Sequence, residues 1–90
     1  MYALHSWATM YYVYCLRSLQ APQFRYVGFS EDLRQRIKDH NRGCNPSTAP
    51  FIPVILDAYA AFALKDRALA FERYLKSGSG HAFAKKRLWS

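Results

Sequence analysis

The chain has 90 residues, is 51% hydrophobic and 17% aromatic, and carries 13 Lys and Arg against 6 Asp and Glu, a formal charge of +7. One compact domain fits that length and a second core does not. The apolar content argues against intrinsic disorder, and no run of about 20 apolar residues is present to cross a membrane. The positive excess favours a polyanionic partner, since basic side chains release counterions from phosphates; solubility alone is the competing explanation.

Residues 1–9 lack clear periodicity and show no charged start with an apolar core of the kind a secretory signal has. They read as a loose extension, or as a misjudged start with Met10 opening the chain, ahead of one domain over 10–90. Residues 10–17 are aromatic and β-branched, which favours a strand. Period two puts Tyr12, Tyr14 and Leu16 on one face and Tyr11, Val13 and Cys15 on the other. Both faces are apolar or aromatic, so cover is expected on both sides. Residues 18–22 are the turn, and 23–29 a second strand with Phe24, Tyr26 and Gly28 on one face, which together make an antiparallel hairpin.

Ser30 is expected to cap a helix from Glu31 to Asn41, with acidic residues in its first turn and Gly43 as a stop. Leu33 and Ile37 mark its buried side. Residues 43–53, rich in Pro, Asn and Gly, form a loop. Residues 54–63 are assigned as a third strand, with a helix as the competing assignment. A second helix is expected over Lys65–Ser77, closed by Gly78, and a short basic helix over His81–Leu88. The order β-β-α-β-α-α implies an α+β fold, a small three-stranded antiparallel sheet flanked by helices. Cys15 falls in a strand and Cys44 in a polar loop; free thiols in a reducing cytosol are the simplest reading, which makes the expected location cytoplasmic.

Glu72 is the most informative residue. Ala68, Phe71 and Leu75 form one helical stripe, and Glu72 lies within it. A carboxylate on an apolar face is costly to desolvate without a partner. A divalent cation is one such partner; an ion pair with an arginine, or a helix rotated enough to solvate the group, are the others. Arg36 and His40 are four residues apart and stack along the first helix. Arg36 offers a fork of donors that matches phosphate oxygens, although an ordinary surface arginine would look the same. Arg34, Lys38 and Arg42 form a second line that reads as a solvated face touching phosphates.

These residues together resemble the GIY-YIG nuclease superfamily. The first signature stands here as Tyr12-Val13-Tyr14 and the second as Tyr26-Val27-Gly28. The run from Gly28 through Leu33 to Arg36, His40 one turn later, and Glu72 on a later helix follow in the family's order. The stretch 71–80 also looks like small single-domain bacterial members, and the resemblance covers roughly residues 10–88. It implies a phosphodiester-cleaving endonuclease acting on DNA, with RNA left open, and selective for structure rather than sequence. It also implies catalytic roles for Tyr14, Tyr26, Arg36, His40 and Glu72, with Glu72 holding one Mg²⁺ or Mn²⁺ ion. One tyrosine would be the general base, and Arg34, Lys38, Arg42, Lys76, Lys85, Lys86 and Arg87 would track the backbone. The sequence departs from the family at two places. Tyr12 replaces the first glycine, and Ala84 stands near the place where many members carry an asparagine, leaving Ser77, Ser79 or Lys85 to substitute. A catalytically weak module of the same fold that binds nucleic acid is the alternative these departures raise. A protein-interaction domain that presents its basic surface to an acidic protein is the third reading.

Overall fold

The computed structural model describes residues 9–89; the extension expected over residues 1–9 falls almost wholly outside the described residues. The first strand, β1, covers Tyr11–Ser18, and β2 covers Arg25–Ser30. Helix α1 (Leu33–Asn41), a 3-10 turn (Ala49–Phe51), strand β3 (Val54–Phe62), and helices α2 (Lys65–Leu75) and α3 (Gly78–Arg87) follow. The sheet is antiparallel in the order β2-β1-β3, as the element order implied.

The expected cover on both faces of β1 is present. Tyr14, Leu16 and Val54 are buried on one face beneath Leu33 and Ile37 of α1, with Tyr26 beside them. Val13, Cys15 and Val27 are buried on the other with Ala68 and Leu75 of α2 and Ala84 of α3. The central strand therefore lies between α1 and the α2–α3 pair. Both cysteines are free, Cys15 buried and Cys44 exposed. Among the described residues, no helix is long and apolar enough to cross a membrane.

The strands lie within two residues of the expected bounds, β1 and β2 each ending one residue later and β2 starting at Arg25 rather than residue 23. Three helix boundaries shift by two or more residues, each for a local reason. Ser30 is not the cap of α1: it is the last residue of β2, paired with Tyr12, and its hydroxyl accepts from the Asp32 amide at 2.9 Å. Asp32 caps the helix instead, its carboxylate accepting from the Gln35 amide at 3.1 Å, so α1 begins at Leu33. Helix α2 ends at Leu75 rather than Ser77, and Ser77 becomes the N-cap of α3, accepting from Gly80 N at 3.2 Å. The last helix thus begins at Gly78, one turn before His81. That crossing needs a glycine at position 80, where a Cβ would run into the Tyr74 carbonyl and Leu75 of the preceding helix.

The competition between strand and helix at 54–63 is resolved as strand. Asn41, the last residue of α1, pins its start: the side chain donates to Val54 O at 3.0 Å and accepts from Val54 N at 2.7 Å. Register along β1 shifts between Cys15 and Leu16, leaving Asp57 as the extra residue of a bulge. Its carboxylate, 4% exposed, reaches Arg17 Nε at 3.3 Å on β1 and Arg25 Nε at 3.7 Å on β2. One carboxylate therefore ties all three strands together.

Candidate active site

Gly28 stands directly across β1 from Tyr14. A side chain there would occupy the space of the Tyr14 hydroxyl and Cζ. Its absence lets the Tyr14 ring lie over the neighbouring strand, which gives the glycine of the second signature a steric reason. Tyr14 is fully buried, and its hydroxyl lies 2.8 Å from His40 Nε2. His40, brought over the sheet by α1, is also fully buried. Its Nδ1 lies 2.7 Å from the Thr48 hydroxyl, so both ring nitrogens are engaged.

Tyr26, two residues before Gly28 on the same strand face, completes an aromatic group. Its ring centroid is 5.1 Å from His40 and 6.3 Å from Tyr14. Asn45 donates to the Tyr26 hydroxyl at 3.3 Å. Arg36, one turn before His40, is exposed and donates to the Phe29 carbonyl at 3.3 Å. A cleft of about 220 Å³ lined by Arg36, His40, Cys44 and Asn45 opens beside these rings.

The electrostatics follow from burial and from these neighbours. Burial pushes the Tyr14 phenol up to about 12, helped by Tyr26 and Glu72 and opposed by hydrogen bonding and charge from Arg36. Burial, then Arg36, holds His40 below the ordinary imidazole value, against a smaller upward pull from Asp39. At neutral pH the pair is therefore a neutral phenol against a neutral imidazole.

Glu72 sits where its stripe placed it, beside buried Ala68 and Leu75, with its side chain 19% exposed. Its companion in the chain is a lysine one turn on, not an arginine: Lys76 Nζ lies 3.1 Å from Oε2. Lys76 is half exposed. Among the described residues no three His, Cys, Asp or Glu side chains gather to hold a metal ion. A Mg²⁺ or Mn²⁺ ion here would have the Glu72 carboxylate from the protein and water and phosphate oxygens elsewhere. Hard cations that dehydrate reluctantly are commonly held this way, so the donor set fits.

The basic residues are distributed less simply than one continuous track. Arg34, Lys38 and Arg42 are exposed on α1, and Lys85, Lys86 and Arg87 on α3, helices that cover opposite sheet faces. Arg42 pairs with Asp39, and Arg34 lines a separate cleft with Tyr12 and Tyr59. Ala84, near the place of the family's late asparagine, is fully buried in the core. Ser77 is occupied in capping, donating to Tyr74 O at 2.6 Å, while Ser79 is exposed.

Sequence reasoning missed Thr48 and Asn45. Both lie in the polar loop after α1, where such residues ordinarily make turns. Asn45 does this as well, accepting from Ser47 N at 2.8 Å, so turn chemistry hid its contact with Tyr26. Asp57 was also missed as a clamp, because a bulge has no signal in an alternating strand pattern.

A family model described as the GIY-YIG catalytic domain matches residues 10–86. The chain is 39% identical over 72 residues to a UPF0213 protein of Lacticaseibacillus paracasei, covering 79% of this chain and 79% of that protein. No solved structure matches it at comparable significance. The signatures around Tyr14 and Gly28, the three-stranded sheet and the family match agree: this chain belongs to the GIY-YIG family and has the nuclease fold of that superfamily.

Proposed function

We propose that the protein is a metal-dependent endonuclease that hydrolyses phosphodiester bonds of DNA and selects structure rather than sequence. The observation that carries this reading is the buried chain Tyr14–His40–Thr48, joined at 2.8 and 2.7 Å, beside a cleft that His40 and Arg36 both line. A buried phenol needs only a single hydrogen-bond partner; a histidine that is itself held by a threonine and opens on an arginine-lined cleft is the arrangement a proton-transfer site uses.

In this mechanism Tyr14 is the tyrosine that handles the proton. As water attacks phosphorus, its proton is taken up by the Tyr14–His40 pair, which meets the cleft through His40, and comes to rest as an imidazolium against a neutral phenol. Thr48 accepts from His40 Nδ1–H, fixing the tautomer whose Nε2 is open to the phenol. Tyr26, steadied by Asn45, orients the water or a phosphate oxygen. Arg36 stabilises charge on the non-bridging oxygens through preorganised donors. Glu72 would hold the Mg²⁺ or Mn²⁺ ion, which when bound supplies Lewis-acid stabilisation of the leaving oxygen. The deciding assay measures cleavage of branched, flapped and single-stranded DNA with and without Mg²⁺. Metal-dependent cutting supports the reading, and no cutting of any substrate overturns it.

One observation favours a second reading, a catalytically weak module that binds nucleic acid. Ala84 faces the core rather than the site, so no side chain from that position can serve the family's late asparagine role. Metal-independent DNA binding with no cleavage would select this reading.

A further inference from the structure

A groove of about 460 Å³ crosses the exposed edge of β2 and lies outside the Tyr14–His40 pair. That volume is within the roughly 300–1,000 Å³ common for ligand sites. Gln23 and Arg25 form one wall, and Lys76, His81 and Trp89 the other. Lys85 lines its continuation beside His81 and Trp89. Tyr26 and Val27 of β2 line its floor with Leu75 of α2; Val27, Leu75 and Trp89 belong to the sheet face opposite the one that buries Tyr14. None of the lining residues is acidic; Glu72 reaches it through Lys76 at 3.1 Å and Asp57 through Arg25 at 3.7 Å, which leaves Lys85 as the less encumbered cation.

The spacing on α3 explains the second wall. His81, Lys85 and Trp89 are four residues apart and fall on one line of the helix and its extension. Trp89 is fixed there because its amide donates to the Ala84 carbonyl at 2.9 Å. Its ring meets His81 edge to face at 5.0 Å, and the Arg25 guanidinium lies 5.5 Å over it. His81, Lys85 and Lys76 are exposed. Of the three consecutive basic residues on α3, only Lys85 faces this groove.

An exposed aromatic face flanked by flexible cations in excess over carboxylates is the chemistry that takes an unpaired nucleotide: the base stacks and the phosphates pair. A paired base offers no face to such a slot. We infer that this groove holds an unpaired nucleotide of the bound strand, its base stacked on the exposed His81 ring that Trp89 backs edge-on and its phosphates against Lys85 and Lys76. The inference rests on the nuclease reading for the identity of the ligand as nucleic acid, but base binding itself needs no cleavage.

The test measures fluorescence anisotropy of the full wild-type chain, with chelator in place of metal so that no strand is cut, on a labelled single-stranded oligonucleotide. The same strand with abasic positions, the same strand as a blunt duplex, and an RNA strand of the same length are the comparisons. The single strand should bind about tenfold more tightly than its abasic form, the order expected for one stacked base. His81→Ala should remove most of that difference while keeping affinity for the abasic strand, and Lys85→Glu should weaken both strands alike. Trp89→Leu is secondary, because that side chain also packs on the core. Equal binding of intact and abasic strands, or tighter binding of the duplex, would overturn the groove's role. Cleavage by the wild-type chain without base-dependent binding sinks this inference alone; base-dependent binding without cleavage sinks only the nuclease reading. The RNA arm decides which sugar the groove accepts.

Discussion

A methyl group at position 28 would take the place of the Tyr14 hydroxyl, so Gly28→Ala must push the phenol off His40 or displace β2. We expect a loss of about 1–3 kcal/mol in stability, the usual cost of overpacking, with a larger loss of cleavage. Urea denaturation and a cleavage assay on the same sample separate the two. Arg36 is exposed, donates to the Phe29 carbonyl and pulls weakly on the Tyr14 phenol, so Arg36→Ala should cost little in folding. Its loss should lower kcat/KM by roughly 3 kcal/mol, or about two orders of magnitude, judged from removal of comparable preorganised donors; wild-type rates would remove Arg36 from the mechanism. The pH behaviour of the Tyr14–His40 pair has a definite sign. Tyr14 is raised from 10.0 to about 12, so it is protonated in both folded and unfolded chains below pH 10. Its contribution is complete there and is lost as pH rises from 10 to 12, where the unfolded chain releases the proton first, to a total of about 3 kcal/mol. Tyr14→Phe should flatten that part of the stability curve relative to wild type. His40 is lowered, so cleavage should fall only when pH drops below the ordinary imidazole value near 6.5, because the imidazolium cannot accept a further proton. Of the residues themselves, Glu72 was legible from physics, since it interrupts an apolar stripe. Tyr14, Tyr26 and His40 were legible only through resemblance, because a tyrosine in a strand and a histidine on a helix look structural until their contacts are known.

At the scale of elements, the strands and helices were readable because their periodicities are strong and tertiary packing agrees with them. The errors fell at junctions. Ser30 and Asp32 are both good caps, and sequence cannot say that strand pairing with Tyr12 removes Ser30 from the choice. Ser77 and Gly78 read as a helix end, whereas the chain uses Ser77 to start the next helix at once. Asp57 shows what alternating patterns miss. Burial of one carboxylate between Arg17 and Arg25 across three strands depends on a bulge that only the folded register reveals. Its removal leaves two arginines without their shared anion. We expect Asp57→Ala to cost about 3–5 kcal/mol, the range for breaking a buried ion pair from one side, read as a lower urea midpoint. A change under 1 kcal/mol would mean the clamp is incidental. Asp32→Ala should cost only about 1 kcal/mol, the usual worth of a helix cap.

For the whole molecule, the net charge of +7 correctly pointed to excess cations but not to their arrangement, since α1 and α3 carry them over opposite faces of the sheet. Pairs such as Lys76–Glu72 and Arg42–Asp39 also withdraw cations from any simple count. DNA binding should still weaken steeply with salt, log affinity falling linearly with log salt. A flat response in a titration from 50 to 300 mM (roughly the useful window) would count against phosphate contacts. The Tyr14–His40 pair and Arg36 stand beside one cleft and Glu72 is held on α2; under the proposed function, cleavage is the consequence to measure. The most direct measurement compares wild type and Glu72→Ala on single-stranded and branched DNA, with Mg²⁺ and with chelator, alongside binding of the same substrates. Wild type should cut only with Mg²⁺, and Glu72→Ala should bind about as tightly and not cut. Undiminished cutting by Glu72→Ala in the presence of Mg²⁺, or wild-type cutting that is indifferent to chelation, would contradict the account.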